Sequence, residues 1–215
     1  MPKVGMEDER RRCLIDATME TIHERGYSEV TVAQIARKAG VSSGLALHYF
    51  GSKDQLLAST MHHMLRELGN GLRSRLANAH SPRERISAII VANFEPHQFR
   101  DTVIAAWLAF YVQSRTNQSN RRLLRIYSMR LVSNLTVGLC HFMSREDARR
   151  VAEGTASMID GVWLRQALRD KPGDPETAIT LVEEYVSFQI EQARQNKKAA
   201  ALHEAHATPD GSNTQ

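Results

Sequence analysis

The chain has 215 residues, of which 42% are hydrophobic, so it is long enough to bury a core in one or two domains. Its formal net charge of +4 is mildly basic, which by itself does not reveal whether the chain binds nucleic acid. No apolar run reaches the roughly 18 residues of a membrane span and no apolar signal segment is present, so we expect a cytoplasmic protein without membrane partners.

Helical periodicity runs through almost every segment, and strand-like alternation is absent, so the sequence predicts an all-α protein. Cys13 and Cys140 lie far apart on predicted helices and are expected to be free thiols rather than a disulfide. The predicted helices cover about residues 7–25, 31–39, 42–49, 52–76, 81–95, 101–115 and 118–142, and two more begin at residues 144 and 174.

The stretch from Thr31 to Lys53 predicts two short helices joined by a tight turn. Thr31 and Gln34 have the spacing of a capping box, and Gly40 can adopt the left-handed conformation that ends the first helix. Ser42 can cap the second helix, which presents its polar and small residues outward. Two helices joined by a short turn with glycine form a helix-turn-helix, here at about residues 31–50, whose second helix enters a DNA major groove.

A long fourth helix follows and is capped by Ser52. It is long enough to connect a DNA-binding unit with the remainder of the chain, which we expect to form a second helical domain. We therefore divide the chain into residues 1–51, residues 52–195 and a tail at 196–215. The tail lacks an apolar period, and we expect it to be disordered.

Aromatic residues on the sixth, seventh and eighth helices suggest a binding site. The candidate residues are Trp107, Tyr111, Tyr127, Asp160 and Trp163. Several aromatic faces and one acid suit a quaternary ammonium ion, because ring quadrupoles can replace the water around a cation that makes no hydrogen bonds. The alternative is that these rings are ordinary core or dimer contacts, with Asp160 paired to Arg165 or Arg169 at the surface.

An enzyme or a metalloprotein is a further alternative with little support. His62 and His63 are adjacent rather than four residues apart, so they do not share a helical face for a metal ion. No arrangement of nucleophile, base and acid, no phosphate-binding loop and no paired carboxylates stand out. We therefore expect no catalytic residues, no metal and no cofactor.

The residues around the helix-turn-helix resemble the DNA-binding domain of TetR-type repressors. The match rests on Thr31, Ile35, Ala36, Gly40, Val41, Ser42, Gly44, Tyr49, Phe50, Lys53, Asp54 and Leu56. The resemblance implies a three-helix N-terminal DNA-binding domain and a C-terminal domain that binds a ligand and forms a homodimer through the last two helices. The candidate residues for contact with double-stranded operator DNA are Thr31, Gln34, Ser42, Ser43, Gly44, Leu45, Leu47, His48, Tyr49 and Lys53. Leu47 departs from the pattern, because many members carry a tyrosine there.

A second, narrower resemblance extends into the C-terminal half. The segments GLALHYF at 44–50, AWLAF at 106–110, RLVSNL at 130–135 and IDGVWLR at 159–165 are similar to the choline-responsive repressors of this family. Those repressors control the genes that convert choline into the osmoprotectant glycine betaine. The resemblance implies choline or betaine aldehyde as the ligand. The alternative is a TetR-type repressor that senses a different apolar or cationic compound.

Overall fold

The computed structural model of the chain describes residues 6–169 and 174–207, with side chains described up to residue 202. These residues form nine α-helices without a strand, which confirms the prediction of an all-α fold. The helices are α1 Met6–Arg25, α2 Val32–Lys38, α3 Ser43–Phe50, α4 Lys53–Ala77, α5 Pro82–Asn93, α6 Asp101–Gln113, α7 Gln118–Leu139, α8 Arg145–Ala167 and α9 Pro175–Ala207. Short 3₁₀ helices occur at Tyr27–Glu29 and Pro96–Phe99. None of the described helices is sufficiently long and apolar to cross a membrane.

Polar side chains at the helix starts explain most of these boundaries. Each accepts a hydrogen bond from a backbone N–H three residues further on, which the first turn of a helix cannot satisfy internally. These capping residues are Thr31 for α2, Ser42 for α3, Ser52 for α4, Ser81 for α5, Asn117 for α7 and Ser144 for α8. The helix starts are therefore encoded locally, which is why the sequence located them within a residue or two.

The N-terminal helices pack on a core that continues into the rest of the chain. Leu14 and Ile22 of α1 are buried with Ile35 of α2 and Leu57 of α4. α4 contacts α1 and α3 and also α5, α6 and α7, while α1 packs along α6. Since α1 and α4 contact both groups of helices, a displacement in the C-terminal helices has a direct physical route to α3.

The C-terminal helices approach each other closely where the sequence has small residues. A Cβ atom at Gly138 would lie 2.7 Å from Cγ1 of Ile86, so only glycine lets α7 lie this close to α5. At Gly154 a Cβ atom would meet the hydroxyl of Tyr185, the end of a side chain that can turn aside, so glycine is less strictly required between α8 and α9. These contacts lie within one chain and do not require a second copy.

The sequence expectation for the end of α9 needs correction. The helix continues to Ala207, so residues 196–207 are helical and not part of a disordered tail, whereas residues 208–215 lie outside the described residues. Alanine and lysine in this stretch have high helix propensity, which extends a helix without any apolar period.

Candidate DNA interface and ligand cavity

The turn between α2 and α3 has the geometry that the glycine predicted. Gly40 has a φ of 67°, in the left-handed region that other residues rarely adopt. The N–H of Val41 donates to the carbonyl of Ala36 at 2.9 Å, and the N–H of Gly40 donates to the carbonyl of Arg37 at 3.2 Å. These two bonds form a Schellman motif, which ends α2 and sets the direction in which α3 begins.

One side of α3 and its capping residue is free of intramolecular packing. Ala46 and Phe50 are buried against the core, which directs the opposite side outward. The outward residues are Ser42, Ser43, Gly44, Leu47 and His48, with Leu45 partly exposed. Leu47 exposes 45% of its surface, so its apolar side chain is available to a partner. This side has the small and polar composition that a helix reading a major groove requires.

Two of the predicted DNA contacts are already part of the α2 cap. The N–H of Gln34 donates to Oγ1 of Thr31 at 3.3 Å, and Oε1 of Gln34 accepts from the N–H of Thr31 at 2.8 Å. This reciprocal pair is a capping box. It leaves the Thr31 hydroxyl proton and the Gln34 amide NH₂ group available as donors to phosphate.

Lys53 and Tyr49 also make contacts within the chain. The Lys53 ammonium donates to the carbonyl of Tyr27 at 2.7 Å and lies 4.3 Å from the centre of the Tyr27 ring. The guanidinium of Arg11 lies 5.2 Å from the centre of the Tyr49 ring. Both residues therefore help to pack this unit. An ammonium group has three N–H donors, so the bond to Tyr27 leaves Lys53 able to contact phosphate.

The five residues predicted for the ligand site line one cavity. Trp107 and Tyr111 come from α6, Tyr127 from α7, and Asp160 and Trp163 from α8. Leu68, Asn93, Gln98 and Ile159 complete the wall. The free volume between these side chains is only about 20 Å³, so the cavity is nearly closed in this conformation. Because the wall comes from α4 through α8, anything that enters the cavity touches most of the C-terminal helices.

Trp107 lies at the centre of the aromatic cluster. Its ring centre is 5.8 Å from that of Tyr111, 5.7 Å from that of Tyr127 and 6.4 Å from that of Trp163. Trp107 and Trp163 are 5% and 7% exposed, so both indoles are also part of the hydrophobic core. The core interpretation and the binding-site interpretation thus describe the same cluster, and the feature that separates them is the carboxyl group beside it.

Asp160 faces this cavity, and no ion pair among the described residues joins it to Arg165 or Arg169. Burial raises its pKa from 3.8 to about 6, although the nearby Tyr127 hydroxyl partly opposes the shift. Burial and the nearby Asp160 raise the pKa of the Tyr127 hydroxyl as well. At neutral pH the cavity therefore holds a carboxylate without a cationic partner, surrounded by aromatic rings, which favours a cationic ligand.

Several wall residues were not predicted from the sequence, and only one of them had a sequence feature that pointed to the cavity. Asn93 is a polar residue on the otherwise apolar inner face of α5, and its Oδ1 accepts from the Tyr127 hydroxyl at 3.2 Å. Gln98 lies in the Pro96–Phe99 turn, where neither periodicity nor a motif points to burial, yet it is 6% exposed.

Comparison with known proteins agrees with this architecture. Residues 14–60 match the model for bacterial regulatory proteins of the tetR family, and residues 82–191 match the model for the C-terminal domain of BetI-type transcriptional repressors. The HTH-type transcriptional regulator BetI of Brucella anthropi is 53% identical over 190 residues, covering 88% of this chain and 98% of the relative. BetI of Agrobacterium fabrum is 46% identical over 199 residues, covering 93% and 97%.

Solved structures share the fold at low sequence identity. A putative transcriptional regulator of Pseudomonas aeruginosa PAO1 superposes with a TM-score of 0.76 at 25% identity, covering 88% of this chain and 94% of that one. A putative regulator of Saccharomonospora viridis in complex with choline gives a TM-score of 0.71 at 19% identity, covering 84% and 96%. The curated relatives are transcriptional regulators and not enzymes, as the sequence predicted. The chain therefore belongs to the TetR family of DNA-binding transcriptional regulators and, by its C-terminal domain, to the BetI-type repressors.

Proposed function

We propose that this repressor controls the genes that convert choline into glycine betaine and that it responds to choline or betaine aldehyde. The observation that carries the proposal is the unpaired Asp160 carboxylate beside the rings of Trp107, Tyr111, Tyr127 and Trp163. A trimethylammonium group is attracted both by a carboxylate and by aromatic faces. The choline-bound regulator of similar fold and the identity to BetI proteins support the same ligand class.

Ligand binding in this cavity should displace helices. The ring centres of Tyr111, Tyr127 and Trp163 lie only 5.7–6.4 Å from that of Trp107, so a trimethylammonium group placed between Trp107 and any of them must move the rings apart. Leu68 brings α4 into the cavity wall, and α4 begins three residues after the end of α3. Movement of α4 therefore shifts α3 relative to the DNA. The shift requires that the ligand bind the two arrangements with unequal affinity.

We also propose that the repressor acts as a homodimer through α8 and α9. Four apolar side chains on or next to these helices are exposed in the single chain: Leu164 of α8, Leu168 directly after α8, and Leu181 and Phe188 of α9 expose 40%, 65%, 43% and 60% of their surface.

 Burial of these four apolar side chains would be favourable. A second copy would cover them, and helix-turn-helix proteins usually bind two half-sites as dimers. Phe188→Lys should convert the dimer into a monomer in analytical ultracentrifugation, whereas the matched change of Val112, 65% exposed on α6, should leave it dimeric.

Calorimetric titration with choline tests the proposed ligand. The matched probe is 3,3-dimethylbutan-1-ol, which has nearly the shape of choline but no charge. We expect choline to bind and the neutral alcohol to bind much more weakly, because neither the carboxylate nor the ring quadrupoles attract it. Equal affinity for the two compounds would show that the cavity takes apolar ligands in general, and would favour the alternative of a repressor with a different effector.

Fluorescence anisotropy with labelled DNA from upstream of the choline-oxidation genes tests the regulatory half of the proposal. Saturating choline should change the affinity for this DNA by a factor of about 5–150, the usual range of allosteric coupling. Choline that binds the protein but leaves DNA affinity unchanged would separate ligand binding from regulation and refute the proposed mechanism.

A further inference from the structure

We infer that Gln98 determines which oxygen group the cavity accepts at the far end of the ligand, and that its carbonyl oxygen selects a hydroxyl donor. The inference rests on the proposed function, since it assumes that a quaternary ammonium group occupies the aromatic side of the cavity. Choline, betaine aldehyde and glycine betaine share that group and differ only in the oxygen end, which is a hydroxyl, a carbonyl and a carboxylate. Selectivity among them must therefore come from polar groups in the wall.

The polar groups in the wall are not equally available to a ligand. Asn93 uses both ends of its amide, because Oδ1 accepts from Tyr127 at 3.2 Å and Nδ2 donates to the carbonyl of Ile89 at 2.7 Å. The Tyr111 hydroxyl can donate or accept, so it does not discriminate between donors and acceptors. Gln98 is different, because its amide nitrogen is engaged while no hydrogen bond from the described residues reaches its carbonyl oxygen.

A chain of three side chains fixes the orientation of the Gln98 amide. Nε2 of His97 lies 2.9 Å from the amide nitrogen of Gln98, and Nδ1 of His97 lies 3.3 Å from Oε2 of Glu95. Oε1 of Glu95 accepts from Nε of Arg75 at 2.8 Å, which holds the carboxylate against α4. A carboxylate beside Nδ1 keeps the imidazole proton on that nitrogen, so Nε2 is the acceptor and the amide NH₂ of Gln98 donates to it.

This orientation leaves the Gln98 oxygen without a partner among the described residues, whereas His97 holds one of the two N–H groups of the amide. The Gln98 oxygen can receive the hydroxyl proton of choline, but it cannot bond to the carbonyl of betaine aldehyde or to the carboxylate of glycine betaine. Asp160 adds repulsion against the carboxylate of glycine betaine. The cavity should therefore distinguish choline from its oxidation products, with Gln98 as the specificity-determining residue and His97 and Glu95 as positioning residues.

Calorimetry with three cations separates the contribution of the hydroxyl from that of the charge. Choline has both groups, choline methyl ether has no hydroxyl proton, and tetramethylammonium has only the cation. We expect the unmodified protein to bind choline about 3- to 10-fold more tightly than the ether, as one hydrogen bond provides. In Gln98→Met, the affinity for choline should fall to that for the ether, while the affinity for tetramethylammonium should stay the same. Gln166→Met, which alters a buried glutamine outside the cavity wall, is the matched control and should preserve the preference for choline.

A second variant keeps the test decisive if Gln98→Met does not fold. Glu95→Gln removes the charge that holds the His97 proton on Nδ1 without altering the cavity wall. It should therefore reduce the preference for choline over its ether and leave the affinity for tetramethylammonium unchanged. An equal loss of affinity for all three cations, or an unchanged preference for choline in both variants, would overturn the role of Gln98. If the unmodified protein binds tetramethylammonium but shows no preference for choline, this inference fails and the cation site stands. If it binds none of the three cations, the proposed ligand fails and the inference with it.

Discussion

Asp160→Asn should make the protein more stable and less able to bind choline. The folded chain raises the pKa of Asp160 from 3.8 to about 6 because burial disfavours the charged form. The folded state therefore binds the proton more tightly than the unfolded state, and stability is lost as pH rises from about 4 to about 6. Asparagine has nearly the same shape but no charge, so it removes this cost.

The size of the effect follows from the two pKa values. At about pH 7.5 the carboxylate lowers the free energy of unfolding by about 3 kcal/mol, since each pH unit between the two values is worth about 1.4 kcal/mol. At about pH 4.5 the carboxyl group lowers the free energy of unfolding by only about 1 kcal/mol, because it is largely protonated in the folded state. Allowing for the lost contact between the carboxylate and the Tyr127 hydroxyl, we expect Asp160→Asn to gain about 1–3 kcal/mol near neutral pH, or about 2–10 °C in Tm.

Thermal unfolding at both pH values measures the expected gain in stability. Calorimetry with choline near neutral pH measures the expected loss of affinity. Protein concentration must be the same throughout, because a dimer gains stability with concentration. Choline affinity should fall on the order of 10- to 100-fold, as the loss of a charged contact implies. Glu153→Gln, at an exposed position on the same helix, is the control and should change neither quantity. A stability gain that is equal at both pH values, or absent near neutral pH, would refute the argument that the buried charge is costly.

Three other predictions concern separate parts of the molecule. Lys53→Ala should weaken binding to all DNA sequences and lower the slope of log affinity against log salt by about one, and an unchanged slope would remove Lys53 from the phosphate contacts. Trp107→Ala should abolish the response to choline while a folded dimer keeps its DNA affinity; loss of folding or of the dimer would instead show that the indole is mainly a core residue. Near pH 6, choline binding should release protons because the bound cation lowers the pKa of Asp160, so the calorimetric enthalpy should vary with the ionisation enthalpy of the buffer, whereas near pH 8 it should not.

The sequence predicted most of the DNA-binding half because its signals are local. Thr31 and Gln34 form the capping box that their spacing indicated, and Gly40 adopts the positive φ that the turn requires. Both features depend only on residues within a few positions of each other. The ion pairs of Lys38 with Glu20 and Glu24 of α1, at 3.2 Å and 2.6 Å, had no such local signal. Those partners are near only after α1 and α2 have packed.

The ligand cavity could be predicted in part. The aromatic residues of α6 share one side at helical spacing, and this suggested that Trp107 and Tyr111 act together. Tyr127, Asp160 and Trp163 were assigned to the same site as a hypothesis, which depended on α7 and α8 facing α6. The structure brings all five to one cavity. Gln98, which completes the cavity wall, could not be predicted from the sequence, because it lies in a turn that helical periodicity does not describe.

The sequence by itself determined the helices, their starts and the outward side of α3, because capping, periodicity and backbone preferences act over a few residues. Only the tertiary structure decided the electrostatics of the cavity. Asp160 acquires a raised pKa through burial among the rings of three helices, and the Gln98 amide is oriented through His97 and Glu95 to Arg75 of α4. Both properties depend on distances between residues far apart in the chain, which local sequence does not specify.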